Sequence, residues 1–255
     1  MRRTPLIAIA TLAAALLPAA AASAQQPPGD PCLILFGAEA ATITGTDGND
    51  RIVGTPGPDV ILAGAGNDVV LGLGGDDMIC GGQGNDRIDG GAGSDFILGD
   101  TGESLLLGFP AGMNVPGGHD VIDGGNGGDE IFGEGGGDVI RAGAGDDFAT
   151  GQMGNDTVDG DAGDDALFGG PGHDTVRGGD GGDDVVGNFG NDVLLGGKGD
   201  DRLLGDNPPP PVPIPTPPAE TSHDVCNGQQ GTDFAVEGTC ERSNQIEAVG
   251  PFPEE

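Results

Sequence analysis

Aspartate recurs every nine residues through most of this chain. It stands at Asp50, Asp59, Asp68, Asp77, Asp86 and Asp95, then at Asp120, Asp129, Asp138, Asp147, Asp156, Asp165, Asp174, Asp183, Asp192 and Asp201. A glycine lies two residues before each of them, from Gly48 to Gly199. Carboxylates are hard anionic donors, and glycine lets a backbone turn with positive φ and bring its carbonyls close to something else. Such rows of oxygen suit calcium, which takes six to eight oxygens in flexible geometry; magnesium prefers a small octahedron and keeps its waters. Soft metals want thiolate or imidazole, which the repeat lacks. The chemistry these residues can do is therefore to hold calcium, many times over.

The elements that must position them are written into the same period. The unit reads Gly-Gly-x-Gly-x-Asp-x-U-x, as in Gly81-Gly82-Gln83-Gly84-Asn85-Asp86-Arg87-Ile88-Asp89. Position 8 runs Ile52, Ile61, Val70, Ile79, Ile88, Ile97, Ile122, Ile131, Ile140, Ala149, Val158, Leu167, Val176, Val185, Leu194, Leu203, with no polar residue among them. The last three residues of a unit thus predict a very short strand, with position 8 inward and positions 7 and 9 outward. Two units close one coil of a flattened solenoid, and coils stack as parallel sheets about 4.8 Å apart. Unit n then sits on unit n−2, which puts the aspartates in two columns on opposite edges, one starting at Asp50 and the other at Asp59. One aliphatic side chain per nine residues is little apolar burial with which to fix nine backbones, several of them glycine. Stacked carboxylates also repel. A cation between turns would turn that repulsion into attraction.

At these residues the chain resembles the calcium-binding nonapeptide of the RTX, or haemolysin-type, repeat proteins. The resemblance covers roughly 45–204, with a degenerate tail to about 236. It implies an all-β fold, a parallel β-roll, in which each ion is held between the turn of one unit and the turn two units on. The sixteen aspartates named above are then the metal ligands and multiple Ca2+ ions the cofactor. Without calcium, a Gly/Asp-rich chain of this composition is expected to be disordered. The first two units are imperfect: Thr46 and Thr55 replace the second glycine and Pro58 occupies position 5, so weaker ion sites are expected there.

From its start the chain reads as exported. Arg2 and Arg3, the apolar run Leu6 to Leu17 and Ala22-Ser23-Ala24 form a signal peptide over 1–24, cleaved before Gln25. That run is too short for a retained membrane span, and no other stretch could cross a bilayer. An N-terminal signal departs from the uncleaved C-terminal one associated with RTX toxins and proteases. Residues 25–44 form an N-terminal cap segment and 45–204 the roll. An apolar insert near 103–116 (Glu103 to Pro116) interrupts it between Asp95 and Asp120, and is expected to fold back over the roll. A proline-rich insert at 205–222 follows, then degenerate repeats and a C-terminal cap over 223–255. Gly205-Asp206-Asn207 opens the second insert as Gly99-Asp100-Thr101 opens the first, and both should leave from the same edge. The four cysteines suit an oxidising compartment. Three pairings are formally possible; Cys80, at an outward position 9, is within reach of an entry segment carrying Cys32, so Cys32–Cys80 and Cys226–Cys240 are expected as staples at the two ends.

Catalytic patterns are missing. His119, His173 and His223 each precede a repeat aspartate, but two or three coils apart, about 10–14 Å, too far to share a metal. The chain has no His-Glu-x-x-His and no Gly-x-Ser-x-Gly. Acid doublets such as Asp76/Asp77, Asp146/Asp147, Asp164/Asp165 and Asp200/Asp201 recur with the repeat, whereas a glycosidase dyad needs a unique cleft. A net charge of −33 excludes a general nucleic-acid role. Two expectations remain: a secreted calcium-binding roll, or a calcium-stiffened surface or matrix adhesion module presenting its two inserts. Neither is an enzyme, and the residues name no protein or glycan partner.

Overall fold

A computed structural model describes residues 32, 41–101, 117–205, 225–230, 234–236, 242–244 and 248–250. The signal peptide, the cap segment apart from Cys32 and 41–44, the first insert, the second beyond Gly205, His223, Cys240 and the end of the chain lie outside these. Among the described residues, two parallel sheets, of thirteen and ten strands, face each other. Apart from the two-residue strands Gly135–Gly136 and Met153–Gly154, which stay in the thirteen-stranded sheet, successive strands alternate between the sheets, and each pairs with a strand one coil away. Ile61 pairs with Ile79, and Val158 with Val176. The first insert does not disturb this register: Ile88 pairs directly with Ile122 across it. Nor does the second, across which Leu194 pairs with Cys226.

The core between the sheets is the position-8 column of each sheet and little else. All the residues from Ile52 to Leu203 in that column are buried, joined by Ala63, Ala142 and Cys226. A core one side chain deep explains why no polar residue is tolerated there. Many strands are longer than the predicted three residues. Val60–Ala65, Arg87–Ala92 and Thr157–Ala162 carry the pairing on into the first three positions of the next unit, because positive φ at position 2 bends the ladder without ending it, as at Gly64 and Gly91. Pairing also continues past the recognisable repeat, through Arg242–Asn244 and Ala248–Gly250.

The two outer faces differ. On the thirteen-stranded sheet, Leu62, Cys80 and Leu98 form a second apolar cluster with Cys32, flanked by Val60, Met78, Phe96 and Phe132. Rings continue along that face, Phe96–Phe132–Phe148–Phe168, with centroids 5.5–5.6 Å apart. The other outer face mixes exposed valines, Val53, Val121, Val139 and Val193, with charged residues, Arg177 lying 3.8 Å from Asp159. The Cys32–Cys80 disulfide, Cα atoms 6.4 Å apart, staples the entry segment to the apolar face as expected. Cys226 is disulfide-bonded too; its expected partner, Cys240, is outside the described residues. Among the described residues no helix is long and apolar enough to cross a membrane.

Candidate metal centre

Each repeat aspartate sits where the chain turns from one sheet to the other, and the two columns expected from the period are present as continuous hydrogen-bond ladders. The backbone N–H of each aspartate donates to Oδ1 of the aspartate one coil later. On one edge the rungs run Asp50 to Asp68, Asp86, Asp120, Asp138, Asp156, Asp174 and Asp192, at 2.7–2.9 Å. On the other they run Asp59 to Asp77, Asp95, Asp129, Asp147, Asp165, Asp183 and Asp201, at 2.7–3.0 Å. All are buried except Asp50.

Only one oxygen of each carboxylate is used this way. Oδ2 is buried without a hydrogen-bond partner in Asp68, Asp77, Asp86, Asp95, Asp120, Asp129, Asp138, Asp147, Asp156, Asp165, Asp174 and Asp183. An anionic oxygen in that state is costly, and a repeated row of them is a demand for positive charge. Burial accordingly raises these carboxyls, only partly offset by the ladder N–H, and neighbouring carboxylates raise them further. Asp138 is pushed up to about 9, Asp120 and Asp174 to about 8, and Asp129 and Asp165 to about 7.

Position 1 shows what surrounds the vacant lone pairs. A Cβ added at Gly99 would lie 2.5 Å from Asp120 Oδ2 and 2.7 Å from the Gly133 carbonyl; at Gly133 it would lie 2.5 Å from Asp138 Oδ2 and 3.0 Å from the Gly151 carbonyl. Glycine there keeps the second carboxylate oxygen and a carbonyl of the next coil facing one space. Among the described residues no three acidic, imidazole or thiol side chains converge closely enough to hold a metal alone. A cation must therefore draw on backbone carbonyls, which is what calcium accepts and softer metals do not.

Three features were not legible as repeats. Position 5 builds stretches of a second ladder that run the opposite way, a side chain accepting from the N–H one coil later. Asn67 N donates to Asn49 Oδ1 (2.9 Å), His119 N to Asn85 Oδ1 (2.8 Å) and Asn191 N to His173 Nδ1 (3.0 Å). On the other edge Ser94 N donates to Asp76 Oδ1 and Asp164 N to Asp146 Oδ1, both at 3.1 Å. The doublets Asp76/Asp77, Asp146/Asp147 and Asp164/Asp165 thus consist of one exposed rung and one buried aspartate, and His119 and His173 are turn residues. The second feature is Asp100, buried at the root of the first insert, whose carboxylate accepts from Gly118 N (3.0 Å) and Gly135 N (3.2 Å). Burial, and then the nearby charges of Glu134 and Asp86, raise it to about 7. Its only sequence signal is the Gly-Asp pair that opens both inserts. The third is at the start of the roll, where Asp50 Oδ2 and Asp59 Oδ2 already have donors in Thr46 and Thr55.

No curated protein matches the chain. A family model for the RTX calcium-binding nonapeptide repeat (4 copies) does, over residues 44–79, 73–106, 117–149, 142–176, 150–185 and 177–207. Its matches span the two ladders and take in more than half of the chain. With the parallel roll, the aspartate columns and their unsatisfied oxygens in place, the chain belongs to the RTX calcium-binding nonapeptide repeat family, whose repeats bind Ca2+.

Proposed function

We propose that this is a secreted protein that takes up multiple calcium ions between stacked turns and depends on them to close its coils. The aspartates from Asp68 to Asp201 supply the anionic oxygens, and turn carbonyls the remaining ligands. The single observation that carries this is the row of buried Oδ2 atoms without donors, which leaves the metal-free roll electrostatically unfavourable and the calcium-filled one favourable. Residues 1–24 direct export to a compartment where calcium is plentiful and the Cys32–Cys80 bond is stable. Nothing in the repeat is arranged for turnover of a substrate, and the role is binding. The test is a calcium titration of the mature chain followed together by circular dichroism and calorimetry. A cooperative gain of β-structure with a midpoint around 10⁻⁴–10⁻³ M is expected, as for extracellular calcium modules. A far-UV spectrum unchanged by calcium overturns the reading.

A second reading is favoured by one observation: both inserts leave from turns that run from the thirteen-stranded sheet to the ten-stranded one, after Phe96–Leu98 and after Arg202–Leu204. A calcium-stiffened rod with both loops on one edge is suited to adhesion at a cell surface or matrix. Deleting both inserts would leave calcium binding intact and abolish retention of the protein on cell-surface extracts. Retention that survives the deletion removes this reading alone.

A further inference from the structure

The opening coil solves the problem of the second carboxylate oxygen with its own atoms. Thr46 donates to Asp50 Oδ2 twice, from its backbone N at 2.6 Å and from Oγ1 at 2.7 Å. Thr55 N donates to Asp59 Oδ2 at 2.6 Å. Oδ1 of Asp59 is also occupied, by Thr42 Oγ1 at 3.1 Å. Both threonines stand at position 2, the second glycine of the consensus.

Elsewhere position 2 does the reverse. From Gly64 onward it lies in the positive-φ region, as at Gly82 (101°), Gly143 (119°) and Gly197 (125°), and at non-glycine residues such as Leu73 (79°) and Asn188 (75°). Its N–H then points out of its own turn to the position-1 carbonyl of the next coil: Gly82 N to Gly99 O at 3.0 Å, Asn188 N to Gly205 O at 2.8 Å. Oδ2 of the aspartate four residues after Gly82, Asp86, is left without a donor, and so is that of Asp147 after Gly143. A β-branched residue resists positive φ, and Thr46 and Thr55 do not adopt it; their N–H groups stay turned in towards the carboxylate. Asp100, the remaining position-2 residue outside that region, sends its side chain to Gly118 and Gly135 instead and leaves Asp120 Oδ2 without a donor.

We propose that position 2 decides whether a unit takes an ion, and that Thr46 and Thr55 make the first coil ion-free, its carboxylates held by N–H and O–H donors where the later coils use calcium. A lone pair directed at an N–H 2.6 Å away is not offered to a cation. Asp50 and Asp59 therefore belong to the ladders but not to the ion sites. The opening coil, one below the coil that carries Cys80, is a floor on which ion-dependent coils stack.

This inference rests on the calcium reading above, and its experiment separates the two. Calcium bound per chain is measured by equilibrium dialysis for the wild type, for Asp50→Asn/Asp59→Asn and for Thr46→Gly/Thr55→Gly. The asparagine pair should bind as many ions as the wild type, and the glycine pair one or two more. Loss of ions from the asparagine pair overturns the inference, as does a folded glycine pair that gains none. Should the glycine pair fail to fold, the asparagine pair still decides. A wild type that binds no calcium would instead sink the proposed function.

Discussion

The backbone N–H of Asp138 donates to Oδ1 of Asp156, 2.8 Å away and one coil further on, while Oδ2 of the same Asp156 is buried with no donor at all. One residue thus joins two coils through one oxygen and asks for a cation with the other. Mid-column aspartates should therefore matter more than terminal ones. Asp138→Ala removes a rung and an anionic ligand together, and should raise the calcium midpoint about tenfold, equivalent to 1.4 kcal/mol. Asp50→Ala should shift it far less. Equal shifts in parallel titrations would show that the sites are not shared between neighbouring turns.

The raised carboxyls give a pH dependence with a definite sign. Burial, partly opposed by the ladder N–H, puts Asp138 at about 9 and Asp120 and Asp174 at about 8, all above the ordinary 3.8. The metal-free roll consequently binds protons on folding. Its stability is fullest below the unfolded value and is lost as pH rises through 8 and 9. Chelated protein should show more β-structure at acid pH than at alkaline pH. With calcium present the order reverses, because protons and ions compete for the same oxygens, and the calcium midpoint should fall as pH rises. Circular dichroism across this range, with chelator and with calcium, checks both halves. A chelated chain better ordered at alkaline pH would contradict the sign.

Glycine at position 4 is tested at Gly145, whose φ is 143° and where an added Cβ would overlap the Gly127 carbonyl of the preceding coil. Gly145→Ala should destabilise the calcium-loaded roll by more than the roughly 1–2 kcal/mol of left-handed strain alone. Gly57→Ala, where an added Cβ meets nothing within 4 Å, is the control and should be close to neutral. Thermal unfolding in saturating calcium compares them.

The Cys32–Cys80 staple closes a loop of 48 residues, worth about 4 kcal/mol on chain-entropy grounds. Cys32→Ser should lower the melting temperature of the calcium-loaded protein and open Leu62 and Leu98, now buried beside the disulfide, to an apolar dye. Reduction of the wild type should do the same. No change in either case would mean that the entry segment is held by other contacts.

The period made the roll, its two edges and its core legible because position 6 and position 8 each do one thing in every unit. Position 2 was harder to read. Thr46, Leu73, Glu134 and Asn188 look alike as departures from glycine, yet Leu73, Glu134 and Asn188 adopt positive φ and Thr46 does not, and only the direction of an N–H separates them. Asp100 was hidden because its partners, Gly118 and Gly135, become neighbours only once the insert is looped out. The ring row from Phe96 to Phe168 alternates between positions 7 and 9, so no single column of the repeat displays it.

A coil built from two units carries an arithmetic for change. Lengthening the chain by a pair of nonapeptides would add a storey and leave every later residue on its own side. A single nonapeptide added between Phe132 and Phe148 would carry everything after it to the opposite wall, setting Phe148 and Phe168 on the wall of Arg87 and Asp123 and away from Phe96 and Phe132. The tall, two-toned shape of this protein can therefore grow only in even steps.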